Sequence, residues 1–286
     1  MQEPMVMVMV MVMAKIKNMI PRVIKDKILG ALSKNDINNS FLNKIKKSLS
    51  DYDMDFTNPV DIDLHSHLLP GIDDGVRTLE ESIMLIKELK ELGYTKLITT
   101  PHIISDSYPN TKYIIENKLL EVQKALDKEN IDIKIEAAAE HYVDTEFLKM
   151  IENDELVPFS EKYILFETSY ISKPIILEQA IFDMTTKGFI PVLAHPERYR
   201  YMHHDINEYL KLKELGVLFQ INVKSLRNSS GSVYDMLMKL INLGLADFVG
   251  SDVHRKRDVD ELKIFLKRKE YKHIFEKNTI LNTNLI

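Results

Sequence analysis

The stretch Val60-Asp61-Ile62-Asp63-Leu64-His65-Ser66-His67 starts as a short β-rich run and ends abruptly in histidine. The same event recurs down the chain. Apolar runs at 96–100, 133–138, 163–166, 190–194, 217–221 and 246–250 are followed within two residues by His102, Glu140, Glu167, His195, Asn222 and Asp252. Most of these runs are apolar on both faces, as in parallel strands covered by helices. Between them lie helical stretches that end at Gly93, Gly188, Gly216 and Gly244, each leading into an apolar run within three residues. This is the glycine that closes a helix before re-entry into a sheet. Thr78 with Glu81 and Asp205 with Glu208 fit capping boxes, and Pro174 suits a first helical position. Alternating strands and helices imply a parallel sheet, either open or closed. An open sheet would scatter the polar residues along an edge, whereas a barrel gathers all seven strand ends at one C-terminal mouth. The expectation is therefore an α/β fold, a seven-stranded barrel.

A chain of 286 residues, 45% apolar and 28% charged, suits one such domain and excludes disorder throughout. Cysteine is absent, which removes disulfides, Cys-zinc sites and every thiol nucleophile, a cysteine phosphatase included. A net charge of −5 argues against a general nucleic-acid binder. No apolar run reaches the ~20 residues that cross a bilayer.

The charge is uneven. Residues 1–50 hold nine Lys/Arg and three Asp/Glu, a balance of +6, so the other 236 residues carry −11. Three parts are expected: a Met/Val-rich tail at 1–18, a basic helical extension at 19–57, and the barrel at 58–286. Met and Val alternate from Met5 to Met13, and Glu3 stands where a signal peptide would want a basic residue, so the tail reads as disordered or as a misplaced start. In the extension, Ile20, Val23, Ile24, Ile28, Leu29 and Leu32 share one helical face, with Arg22, Lys25 and Lys27 off it. Such a helix packs on the barrel or on a second subunit in a homo-oligomer. Alternatively, residues 19–47 make peripheral contact with a membrane surface or a partner.

Alternation on a strand puts Asp63, His65 and His67 on one face, so that two imidazoles and a carboxylate converge. A lone His-x-His is a weak signal, as often a surface or core pair as a site, but its place at a strand end strengthens it. Asp252-Val253-His254 repeats the spacing after the last strand, and Asp73 and Asp74 lie in the loop Pro70-Gly71-Ile72-Asp73-Asp74-Gly75. Any one of these residues could be a cap or a solvated charge. Some five histidines and four acids in one partly buried mouth would be very costly without cations. Sulfur-free His/carboxylate ligation suits Mn²⁺, Fe²⁺ or Zn²⁺ and is too nitrogen-rich for Ca²⁺ or Mg²⁺ alone. Nine ligands exceed one ion's needs and a carboxylate such as Glu140 can bridge, which implies two or three ions. A multinuclear centre points to phosphate-ester hydrolysis by a metal-bound hydroxide.

Residues 60–258 resemble the polymerase-and-histidinol-phosphatase (PHP) superfamily, and within it the bacterial capsule-associated tyrosine phosphatases of the CpsB/CapC type. The carrying motifs are Asp63-Leu64-His65-Ser66-His67 with Leu69-Pro70-Gly71-Ile72-Asp73-Asp74-Gly75, then Thr100-Pro101-His102, Ala139-Glu140-His141-Tyr142, Phe166-Glu167, His195-Pro196-Glu197-Arg198-Tyr199 and Ser251-Asp252-Val253-His254. The resemblance implies a distorted seven-stranded TIM-like barrel of PHP type holding three ions, typically manganese. The matching ligands are His65, His67, Asp74, His102, Glu140, Glu167, His195, Asp252 and His254. Arg198 matches an arginine that holds the substrate phosphate; its plainer reading is a surface salt bridge to Glu197 or Asp205. A second basic residue is expected after the last histidine, where both Arg255 and Arg257 offer themselves. His141, His203, His204 and His273 match no ligand position.

The resemblance further implies a hydroxide bridging two ions that attacks phosphorus, with His254 or a metal-bound water as acid. Its substrate is the phosphotyrosine-rich tail of a membrane-associated tyrosine kinase controlling polysaccharide export. That places the enzyme in the cytoplasm, at the inner face of the membrane. The rival readings are a histidinol-phosphate or other small phosphomonoester phosphatase on the same barrel, and a non-catalytic metal-bound regulator of the kinase.

Overall fold

A computed structural model describes residues 58–285; the expected tail at 1–18 and basic extension at 19–57 lie outside the described residues. Nine parallel strands make two sheets. The smaller has the order β1 (Ile62–Leu64), β2 (Lys96–Thr99), β4 (Lys134–Ala137), and the larger β3 (His102–Ile103), β5 (Glu140–Tyr142), β6 (Tyr163–Glu167), β7 (Ile190–Ala194), β8 (Leu218–Asn222), β9 (Phe248–Gly250). All seven expected runs are strands, and two of them continue past a break as a second short strand. Between β2 and β3 the break contains Pro101, which has no amide to give to a ladder. Between β4 and β5 the amide of Ala139 leaves the ladder and bonds Val157 O at 3.2 Å.

The outer edges β1 and β9 face each other. Beyond their ends Ser66 and Val253 form a parallel bridge, and His67 N donates to Val253 O at 2.9 Å. Lower down, the Asn282 side chain spans the gap: its Nδ2 donates to Ile62 O (3.0 Å) and Val249 O (2.8 Å), and its Oδ1 accepts from Val249 N (2.9 Å). Gly250 permits this approach, because a Cβ there would lie 2.3 Å from Leu64 O and 2.9 Å from His65 Cβ.

Among the described residues six α-helices lie between strands, α1 (Leu79–Glu91), α2 (Lys112–Lys128), α3 (Thr145–Glu152), α4 (Leu177–Thr186), α5 (Ile206–Glu214) and α6 (Ser232–Asn242), and two follow β9, α7 (Lys256–Phe265) and α8 (Lys269–Lys277). Thr78 caps α1 by accepting from Glu81 N, and Asp205 caps α5, accepting from Asn207 N. Pro174 is not at a first helical position: α4 starts at Leu177, whose amide bonds Pro174 O at 3.2 Å. The four helix-closing glycines have φ between 69° and 94°.

Strand residues Leu64, Ile98, Leu165, Val192 and Phe248 pack together with Leu285 in an inner cluster, and two larger clusters join the strands' other faces to the helices. Both strand faces are thus buried, which fixes the strand ends firmly in space.

Candidate metal centre

The residues that end the strands converge. His65 and His67 follow β1, His102 opens β3, Glu140 opens β5, Glu167 closes β6, His195 follows β7, and Asp252 and His254 follow β9. Three of them carry left-handed backbone: His65 (φ 86°), His195 (φ 34°) and Asp252 (φ 53°). Such conformations cost of order 1–3 kcal/mol each and persist where the surroundings enforce them, typically at functional sites.

Left-handed His65 also breaks the strand alternation. His65 and His67 still come together, with ring centroids 5.4 Å apart. Asp63, expected beside them, does not join the cluster. Its carboxylate accepts from Ser251 N (3.0 Å) and Ser251 Oγ (2.6 Å), clamping β1 to the residue after β9. Burial pushes its pKa up to about 7.

Three overlapping groups of ligand atoms lie within 4.8 Å of one another: His67, Asp74, His102 and His254; His65, His67 and Glu140; His102, Glu140 and Glu167. Glu140 is the hub. Its Oε2 lies 3.1 Å from His65 Nε2, 3.5 Å from His67 Nε2 and 3.2 Å from His102 Nδ1, while its Oε1 is 2.9 Å from His195 Nε2. Asp252 borders all this, with Oδ1 3.7, 3.6 and 3.2 Å from His65, His67 and His254. Its other oxygen is held by Arg198 Nη2 at 2.8 Å and Asn222 Nδ2 at 2.7 Å. The nine expected ligands are therefore gathered in one place. Arg198 touches one of them, Asp252, rather than Glu197 or Asp205.

The outward ring nitrogens are fixed from behind. His65 Nδ1 is 2.7 Å from Gln220 Oε1, and His67 Nδ1 is 2.7 Å from Asp73 Oδ2. Of the two loop aspartates, Asp73 thus orients a histidine, while Asp74 Oδ1 faces His102 and His254 at 3.5 and 3.3 Å. Gly75 allows the loop to fold back, since a Cβ there would lie 2.3 Å from His67 O.

Two observations fit cations here. First, His67 Nε2 and His102 Nδ1 are buried facing the cluster without a hydrogen bond, an expensive state unless a cation takes them up. Second, the electrostatics lack positive charge. Burial disfavours charge on the imidazoles, yet Asp73 drives His67 up to about 9, and Glu140 with Glu167 drives His102 up to about 10. Against its burial, Glu140 is held far below the usual carboxylate range by His65 and His102, and Asp252 likewise by Arg198 and Lys224. Without cations the carboxylates borrow protons through the histidines; ligated ions displace those protons. His195 and His254 are pushed down by burial, with help from Arg198 and His67 respectively, towards the neutral form that ligates metals.

A cavity of about 220 Å³ opens above the centre, lined among others by Tyr170, Arg198, Lys224 and Arg255. Arg257, the alternative to Arg255, points elsewhere, its Nε 2.9 Å from Glu261 Oε1. Sequence reasoning missed Lys224, whose Nζ donates to Asp252 O at 2.5 Å, and Tyr170, whose ring meets His195 edge-on at 5.7 Å. Both stand outside any motif. His141 is occupied by backbone: its Nδ1 is 3.1 Å from Leu165 O, and its Nε2 accepts from Val157 N at 3.2 Å.

Residues 61–284 match the family described as capsular polysaccharide synthesis, CpsB/CapC. The tyrosine-protein phosphatase YwqE of Bacillus subtilis (strain 168) is 31% identical over 195 residues, covering 68% of this chain and 77% of that protein. The tyrosine-protein phosphatase CpsB of Streptococcus pneumoniae is 26% identical over 200 residues, covering 68% and 82%. A solved structure from a study of YwqE and CpsB, described there as unique metal-dependent tyrosine phosphatases, superposes with a TM-score of 0.67 at 27% identity, over 77% of this chain and 96% of that one. By the span of that match and the fold that carries it, the chain belongs to the CpsB/CapC family.

Proposed function

We propose that this chain is a metal-dependent tyrosine-protein phosphatase. The observation that carries the reading is the convergence of nine His and carboxylate side chains, with buried imidazole nitrogens left unpartnered, directly beneath a cavity edged by arginine. The relatives' activity supports it. In the same reading β2 with β3, and β4 with β5, count as single interrupted positions, so that seven positions run round a PHP-type barrel closed between β1 and β9.

His65, His67, Asp74, His102, Glu140, Glu167, His195, Asp252 and His254 would hold two or three ions, with Mn²⁺ preferred over Fe²⁺ or Zn²⁺. When bound, the ions supply Lewis-acid polarisation and neutralise charge on the phosphoryl oxygens. Arg198, oriented by Asp252, offers its guanidinium fork to the same oxygens, where charge grows in the transition state. Arg255 is the second basic residue at the rim. The phenolate of tyrosine has a pKa of about 10, so its departure needs no strong acid. Burial and the neighbouring His67 push His254 towards its neutral form, against the carboxylates of Asp74 and Asp252, which favours ligation over a proton-donor role.

The substrate is a phosphotyrosine protein, the tail of a membrane-associated tyrosine kinase that controls polysaccharide export. This puts the chain at the cytoplasmic face of the membrane, with the basic segment 19–47 assisting. No helix among the described residues is long and apolar enough to cross a bilayer.

The test is phosphate release by metal-stripped protein, with and without added Mn²⁺, from a phosphotyrosine peptide and from histidinol phosphate. Mn²⁺-dependent turnover of the peptide alone is expected. Turnover of histidinol phosphate instead would keep the chemistry and overturn the substrate, and bound metal without turnover of either would leave a regulator.

A further inference from the structure

Beside the metal cavity runs a second groove of about 590 Å³, and the two share Tyr170, Arg198 and Lys224. Thirteen residues line it; four are cationic (Arg198, Arg200, Lys224, Arg227) and none is Asp or Glu. That composition is notable on a body that carries −11 over residues 51–286.

Three of the cations are anchored: Arg198 is held by Asp252. Lys224 Nζ lies 3.3 Å from Asp258 Oδ2, and Arg227 Nε donates to Glu261 Oε2 at 2.7 Å; neither acid is among the lining residues. These carboxylates hold the cations from behind and leave their outer faces to the groove. Arg200 is exposed and has no carboxylate partner among the described residues. Gly231, which precedes α6 without a side-chain cap, brings that helix's positive end to the same wall. Tyr170 at the shared end and Tyr234 further along give the groove aromatic surface for a peptide to lie against.

We infer that this groove binds an acidic peptide segment adjoining the phosphotyrosine, so that the enzyme selects phosphotyrosines flanked on one side by Asp or Glu. This rests on the phosphatase reading, because the segment is placed by the phosphotyrosine seated over the metal centre. An extended peptide spans about 3.3 Å per residue, so the groove reads residues within a few positions of the scissile group. Rim charges of this kind act on recognition and encounter more than on the chemical step.

The test uses the full chain with Mn²⁺ and two phosphotyrosine peptides of equal length, one with flanking Glu/Asp and one with Ser/Gly. Variants Arg200→Glu and, as a milder second, Arg227→Gln are compared on both peptides, on p-nitrophenyl phosphate, and in anisotropy binding of the labelled acidic peptide. The expected result is a preference for the acidic peptide that Arg200→Glu lowers by about fivefold in kcat/KM and in affinity. Turnover of p-nitrophenyl phosphate and of the neutral peptide is unchanged. Equal binding of both peptides by the unmodified chain would overturn the inference, as would a variant that slows all substrates alike. Binding of anionic lipid vesicles with no preference between peptides would also overturn it, in favour of a membrane surface. Arg200-dependent binding of the acidic peptide without turnover of any phosphotyrosine substrate would uphold the groove and overturn the phosphatase reading.

Discussion

Asp73 belongs to none of the three ligand groups, yet it decides where His67 aims. With Nδ1 tied to Asp73 at 2.7 Å, the other ring nitrogen is turned into the cluster and left unpartnered. A carboxylate behind a ligating imidazole also raises its basicity, and removing such a support typically costs 10- to 100-fold in metal affinity or activity. Asp73→Asn keeps the shape and removes the charge. Mn²⁺ titration of the stripped variant should show affinity about tenfold weaker, with the fold unchanged by circular dichroism. Unchanged affinity would show that Asp73 only shapes its loop. The tandem Asp73-Asp74 was legible as a pair, but residue type alone could not divide the roles. The family resemblance singled out Asp74, and the turn supplies the physical reason by sending one carboxylate behind His67 and the other towards His102 and His254. Asp63 shows the opposite failure. Period two places it beside His65, but the left-handed backbone at His65 ends the alternation, and a histidine at positive φ carries no mark in the sequence.

At the scale of elements, the strands were legible because burial on both faces leaves apolar runs, and four of the helices because a glycine at positive φ closes each; α2 and α3 close instead on Asn130 and Asp154, at φ 53° and 60°. The interruption at Pro101 could be anticipated; the one at Ala139 could not, because it depends on Val157, far along the chain. Lys224 reaches the site from a single short 3₁₀ helix, Val223–Arg227, and Tyr170 from an irregular segment, neither long enough to show a periodicity. The approach of β9 to β1 depends on Gly250, which ends an apolar run and gives no other sign of its task. Gly250→Ala would drive a methyl group into Leu64 O and the Cβ of His65, both anchored in β1 or just beyond it. Overpacking of this kind costs about 1–3 kcal/mol. Thermal denaturation should show a lower Tm, and Mn²⁺ binding should weaken because His65 moves. An unaltered Tm would mean that the two strands can separate freely at this point.

For the molecule as a whole, acid sensitivity has a source independent of the metal. Burial pushes the pKa of His141 down to about 4, whereas the unfolded chain restores the ordinary value near 6.5. Above about 6.5 neither state binds the proton and the stability is fully present. As pH falls from there towards 4 the unfolded state alone takes it up, and stability is lost. His141→Gln removes this term, so in metal-free protein the fall of Tm between pH 6.5 and 4 should be shallower than in the unmodified chain. Parallel curves would assign the sensitivity to other groups.

The Asn282 seam carries a further consequence, for the order in which the chain is made. The asparagine that satisfies Ile62 O stands 220 residues after it. At about 5–20 residues per second, ribosomal synthesis leaves that rim of β1 waiting roughly 10 to 45 seconds for its partner. Through that interval the nascent chain presents an open strand edge, the feature that invites pairing with another copy. The period of greatest risk therefore falls before Asn282 emerges, when every strand among the described residues has been made but the seam has not yet been sewn.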